Sequence, residues 1–222
     1  MGLVAGREPG LYRITDTGQL LRLSDSADIV WYDSELLPST IAGLPATITA
    51  GWELRMFVNP NFATTGAVKQ RGLHYNITEW GKIPKNWDVD LWQIGFRVEV
   101  ETTPPAFVPA DDNSLVLYGG HMRLVTGGTK DECDGKLINF PSGYGIGGSI
   151  AIDGNAVPVE VSALTNGVPS PGAVGRREIP IPLPESVSYE VIVRFPNAIT
   201  LRPMPIKRLV CELTIKRGIP VR

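Results

Sequence analysis

The sequence predicts an all-β protein, an antiparallel β-sandwich, on three observations. Three segments, Asp90 to Thr102, Ser188 to Phe195 and Arg208 to Lys216, alternate apolar and polar residues at period two, the mark of a strand with one buried face. The 24 glycines and 19 prolines are spread along the chain, which calls for many turns. No helical pattern longer than two or three turns is persuasive.

In order, residues 1–10 are small and read as a short flexible segment. Leu11-Tyr12-Arg13-Ile14 and Gln19-Leu20-Leu21-Arg22-Leu23 flank the turn Asp16-Thr17-Gly18, which is hairpin chemistry. Ile29-Val30-Trp31-Tyr32 is a short buried run that leads into Asp33-Ser34-Glu35-Leu36-Leu37, a strand end or a helical turn before Pro38. Ala46 to Ala50 is apolar. From Trp52 to Val58, Leu54, Met56 and Val58 alternate with Glu53, Arg55 and Phe57 until Asn59-Pro60-Asn61 stops the strand.

From Phe62 to Lys85 the pattern is lost. Connections of this length in compact domains are usually functional or interfacial. This one carries Phe62, His74, Tyr75 and Trp80. Asp90 to Thr102 follows as a central strand, with Trp92, Ile94, Phe96, Val98 and Val100 inward, and Thr103-Pro104-Pro105 ends it. Ser114 to Val125 reads as a strand or bulged pair broken at Gly119-Gly120. Thr129 to Gly135 reads as a polar loop, Lys136 to Phe140 as a short apolar stretch, and Pro141 to Gly148 as a glycine-rich loop. Ile150 to Ile152 and Val157 to Val161 form a hairpin across Asp153-Gly154-Asn155, and residues 162–177 are loop.

Ser188 to Phe195 turns Tyr189, Val191, Val193 and Phe195 inward. Arg208 to Lys216 turns Leu209, Cys211, Leu213 and Ile215 inward. Between them the prolines of Pro196 to Pro205 leave a crossing loop or a broken edge strand. Some eight to ten strands at this spacing fit one sandwich or jelly roll over residues 1–222.

A net charge of -2 from 21 basic and 23 acidic residues gives no bulk attraction to nucleic acid or an anionic membrane. The start of the chain lacks the basic flank and apolar run of a signal peptide, so the expectation is a protein made soluble in the cytoplasm. The two cysteines, Cys133 and Cys211, show no metal spacing; Cys211 reads as a core residue, and no disulfide between them is expected.

Gly143 to Gly148 satisfies GxGxxG, but Pro141-Ser142 precedes it and a strand-like run follows, so it reads as a turn. The only histidines are His74 and His121, and neither has a second one close by, which argues against a metalloenzyme. No Gly-x-Ser-x-Gly elbow is present. Asp131, Glu132 and Asp134 read as a solvated turn rather than a cation site. No cofactor, metal or small-molecule substrate is expected. Of the five tryptophans, Trp31, Trp52 and Trp92 read as core. Trp80 and Trp87, bracketing Gly81-Lys82-Ile83-Pro84, suit a sugar platform or a protein interface equally. The interface candidates are Phe62, Tyr75, Trp80 and Trp87.

Several stretches, taken together and in order, resemble the jelly-roll capsid proteins of small icosahedral bacteriophages. They are Phe57-Val58-Asn59-Pro60-Asn61, Leu137 to Gly148, Ile179-Pro180-Ile181-Pro182-Leu183-Pro184 running on to Val191-Ile192-Val193-Arg194-Phe195-Pro196, and the closing strand into Gly218-Ile219-Pro220-Val221-Arg222. The resemblance implies a shell subunit with one jelly roll per chain, long loops that make capsomer contacts, and no enzymatic site. Its implied partners are copies of itself and other virion proteins, with contact to an internal membrane or the genome left open, and its implied location is the virion. The alternative is a carbohydrate- or receptor-binding β module such as a phage spike or decoration protein.

Overall fold

The computed structural model describes residues 12–14, 20–22, 27–38, 46–59, 69–85, 87–100, 110–142, 176–202 and 206–218. The first strands are β1 (Tyr12–Ile14), β2 (Leu20–Arg22), β3 (Ala27–Leu36), β4 (Ala46–Ile48), β5 (Trp52–Met56) and β6 (Asp88–Val100). A helix, α1 (Ala110–Gly119), leads into β7 (His121–Thr126) and β8 (Lys130–Lys136). Then come β9 (Arg176–Leu183), β10 (Tyr189–Phe195), β11 (Ile199–Leu201) and β12 (Lys207–Gly218).

Two four-stranded antiparallel sheets carry the fold, in the orders β3-β12-β6-β9 and β5-β10-β7-β8. Two short ladders join β1 to β2 and β4 to β11. Apart from β1 and β2, the pairs are nested: β3 with β12, β4 with β11, β5 with β10, β6 with β9, and β7 with β8. Among the described residues the nesting turns back at the β7–β8 turn, and β12 also pairs with β6 and β10 with β7.

Alternation explains the strands that build the core. Tyr189, Val191, Val193 and Phe195 of β10 are buried, as are Leu209, Cys211, Leu213 and Ile215 of β12. They belong to one cluster that draws on both sheets, and Trp31 of β3 stacks on Tyr189 of β10 at 5.8 Å. Each large side chain buried this way contributes roughly 1.5–3 kcal/mol before conformational entropy is charged.

The all-β reading holds, with four corrections. Residues 110–119 are helical, not part of a strand. The helix sinks Val116 and Leu117 into the core, leaves Leu115 and Tyr118 outside, and sets Asp112 in its first turn, where an acid favours the dipole. Gly119 is no bulge: a Cβ there would collide with Cδ1 of Ile199.

The expected polar loop at 129–135 belongs mostly to β8, an edge strand whose polar sequence hides it from an apolar-periodicity reading. Trp92 leaves the inner row. The register of β6 shifts there, so Val89 and Leu91 are buried on one side of the irregularity and Ile94, Phe96 and Val98 on the other, while Trp92 is half-buried. Finally, residues 176 and 177 open β9, an edge strand that tolerates Pro180 and Pro182.

The hairpin at the start, the central placement of β6 and the crossing segment, which contributes β11, follow expectation. Phe62, residues 1–10, the glycine-rich run 143–148 and the expected hairpin at 150–161 lie outside the described residues. Among the described residues no helix is long and apolar enough to cross a membrane.

Candidate interaction surface

The connector from β5 to β6 is described at residues 57–59, 69–85 and 87. Its second half lies against the turn that precedes β10: Ile83 N–H donates to Val187 O, Ser186 N–H to Ile83 O, and Tyr189 N–H to Gly81 O, all at 2.9–3.0 Å. Gly81 takes φ +57°, and its Cα lies so close to the Phe57 and Tyr189 carbonyls that a Cβ would stand 3.3 Å from each. Ile77 and Ile83 are buried and pin this half to the core.

Residues 72–76 of the same connector run along the outer edge of β3. Tyr75 bridges to Asp33, and Ser34 Oγ donates to the His74 carbonyl at 3.0 Å. The Asn76 side chain imitates a neighbouring strand: its Oδ1 accepts the Tyr32 N–H at 2.8 Å and its Nδ2 donates to Val30 O at 2.6 Å. Tyr32 Oη donates to Gly72 O at 2.7 Å. A row of backbone groups that would template another strand is thereby occupied.

Beneath this strip is a buried ionic group. Trp31, Asp33 and Glu35 share the inner face of β3, all buried, so two acids point where only apolar residues are cheap. Lys69 answers both, with its Nζ 2.8 Å from Asp33 and 2.5 Å from Glu35. Asp33 also accepts the Phe57 N–H at 2.6 Å, which holds Phe57 at φ +66°, a costly conformation for a large L-residue. One carboxylate thus ties β3, the end of β5 and the root of the strip together. Burial raises the pKa of Asp33, an effect only partly offset by Lys69. Glu35 is raised for the same reason, with the Asp33 charge adding to the rise and Arg208 opposing it.

The interface candidates divide. Tyr75 and Trp80 come together, ring centroids 4.3 Å apart, with the Lys69 ammonium 5.9 Å from the indole; both are half-buried against the core. Trp87 belongs elsewhere, stacked on Trp31 at 6.2 Å with the Arg217 guanidinium 4.5 Å from its ring. Trp80 and Trp87 therefore sit in different aromatic contacts, and neither presents a bare two-faced indole. The exposed apolar atoms of this region are at Leu73, 65% exposed, and Val30, 46% exposed.

The depression lined by Val58, Gly81, Val125, Gly128, Ser188, Tyr189 and Glu190 holds about 160 Å³, below the roughly 300 Å³ at which ligand pockets begin. Asp131 and Glu132 pair with Arg123 and Lys130, and His121 is exposed on β7. Both cysteines are free thiols.

Sequence reasoning found the aromatic strip but missed Asp33, Glu35 and Lys69. The signal was present: two acids alternating with Trp31 on one strand face demand a buried cation. Its identity was hidden because Lys69 lies 36 positions from Asp33. Comparison with known proteins finds no matching family model, no matching curated protein and no matching solved structure.

Proposed function

We propose that this chain is a single jelly roll that serves as the shell subunit of a bacteriophage virion, made soluble in the host and assembling with copies of itself. The nested pairing carries the reading. Strands that pair first with last, inward to a central hairpin, and form two four-stranded sheets are what a jelly roll would give, and they support this reading. The strip 70–76 and the half-buried Tyr75 and Trp80 supply the contact surface, with Leu73 as its exposed apolar centre. Its anchoring by a buried ionic group suits a surface that must be presented in one geometry.

The test is native mass by light scattering with negative-stain microscopy of the same fraction. Rings, trimers or shells support the proposal; a strict monomer at high concentration counts against it. Because Trp80 packs on the core, Trp80→Ala would mix lost stability with lost contact. Leu73→Glu is the cleaner probe: it leaves the unfolding midpoint within about 0.5 kcal/mol of the parent, as expected at a surface position, and abolishes the assemblies. Normal particles from that variant would remove this surface from the interface.

A further inference from the structure

The ionic group at Lys69 also sets an amine against a carboxyl group where water is excluded. The side chains of Lys69, Asp33 and Glu35 are each no more than 1% exposed. The Trp80 indole lies 5.9 Å from Nζ, and the buried rings of Trp31 and Phe57 both meet that of Tyr189. Asp33 is held by three contacts: its Oδ1 accepts the Ser34 N–H at 2.9 Å, its Oδ2 accepts the Phe57 N–H at 2.6 Å, and Lys69 Nζ stands 2.8 Å from Oδ1. Glu35 Oε1 meets the same nitrogen at 2.5 Å. A bond of about 1.2 Å joins a carboxyl oxygen to its carbon, so Nζ is within about 4 Å of the Asp33 Cγ, against the about 3–3.5 Å at which reacting atoms meet.

We infer that Lys69 and Asp33 join through an intramolecular isopeptide bond, with Glu35 moving the protons, so that the connector is covalently tied to β3. Nζ gives a proton to Glu35 and attacks Cγ of Asp33. The Phe57 N–H holds Oδ2 as negative charge gathers on it in the tetrahedral intermediate. Oδ1, beside the nitrogen that Glu35 serves, takes up protons through Glu35; the Cγ–Oδ1 bond breaks and water leaves. In the state with three hydrogens on Nζ and one shared by the two acids, the products are one amide, one water and a neutral Glu35. Hydrogens and charge balance, and nothing is oxidised or reduced.

Two carboxyl groups touch the amine, and their settings assign the roles. Asp33 has a backbone N–H on each oxygen, which fixes its carbon and draws charge from it. Glu35 holds the shorter contact to Nζ and is placed to take its proton. Burial raises the pKa of both acids against the pull of Lys69; at Glu35 the Asp33 charge adds to the rise and Arg208 opposes it. The site thereby favours a carboxyl that keeps its proton, the form an amine attacks, and turning a buried ion pair into an amide removes the cost of desolvating it. The bond fixes the root of the strip to β3 whether or not the chain builds a shell. The titration of Asp33 belongs to the chain before joining, and mass distinguishes the two forms.

The test is the intact mass of the full chain, kept folded at neutral pH and then denatured. The parent is lighter than its sequence by one water, and digestion yields a branched peptide that joins the segment holding Asp33 to the segment holding Lys69. Lys69→Met and Glu35→Gln, each checked for folding by circular dichroism, both keep the full mass of their own sequences. Glu35→Gln preserves the shape of the side chain and removes its proton chemistry.

A parent at its full sequence mass overturns the inference, as does a water deficit confined to an unbranched peptide, such as a succinimide at Asp134-Gly135. A folded Glu35→Gln that joins as completely as the parent overturns the part given to Glu35. Should neither variant fold, the branched peptide of the parent decides alone: its presence sustains the bond and its absence defeats it.

Discussion

Two buried lysines tie connecting segments to the sheets, and they are balanced differently. Lys207, at the start of β12, lies 3.0 Å from Asp112 of α1 and donates to Arg202 O at 2.7 Å; Asp112 in turn accepts the Arg202 N–H at 3.1 Å. There one ammonium meets one carboxylate. At Lys69 one ammonium meets two carboxylates that share a strand face, and burial outweighs it, so the pKa of both acids is raised. The Lys207 pair fixes geometry. The overdrawn group fixes geometry and responds to pH as well, and it sits under the surface proposed for assembly.

Removing the cations widens the contrast most. Lys69→Met leaves two buried carboxylates without their cation, and urea unfolding at pH 7 should show a loss of about 3–5 kcal/mol. Much of this returns as the pH is lowered towards 5, because protonation discharges the acids. Lys207→Met should cost about 3 kcal/mol in the same measurement, since it leaves Asp112 buried without that cation.

The parent protein has its own pH signature. Asp33 and Glu35 have folded-state pKa values above those of the unfolded chain, so the folded state binds more protons between the two. The stability these groups contribute is fullest below the unfolded carboxylate range and declines as the pH rises through the raised values. Glu35→Gln should flatten that decline in denaturation midpoints taken from pH 4 to 8; an unchanged slope would show that Glu35 does not produce it. The smallest effect belongs to the outer face of the other sheet. Arg55 meets Glu190 at 3.4 Å with its side chain 54% exposed, and Arg55→Ala should move the midpoint by less than about 0.5 kcal/mol.

What could be read from the sequence follows from which faces are wet. The strands β6, β10 and β12 were legible because one face meets the core and the other does not, so alternation survives. β8 was not, because as an edge strand reading Lys-Asp-Glu-Cys-Asp-Gly-Lys it spends its side chains on solvent and ion pairs. The helix α1 was lost because Leu115 to Leu117 read equally as strand; the decision rests on Ile199 and Leu137, far along the chain, which pack against its terminal glycines. One irregularity in β6 was enough to misplace Trp92. At the candidate surface, Tyr75 and Trp80 were visible as aromatics in a long connector. The buried acceptor His74 was not, since it depends on a backbone hydrogen bond that composition does not encode.

The nested ribbon also dictates a tempo. Its innermost pair, β7 with β8, closes a turn of three residues at 127–129, whereas β3 with β12 joins Ala27 to Arg217. Loop closure is cheapest inside and dearest outside, so the chain is expected to zip from the hairpin outwards, slowly for its size. Since β12 lies between β3 and β6, a nascent chain lacks the middle of its first sheet until residues 207–218 have been made. Until then β3 and β6 stand as two unjoined edges, which is when a chaperone would have most to cover.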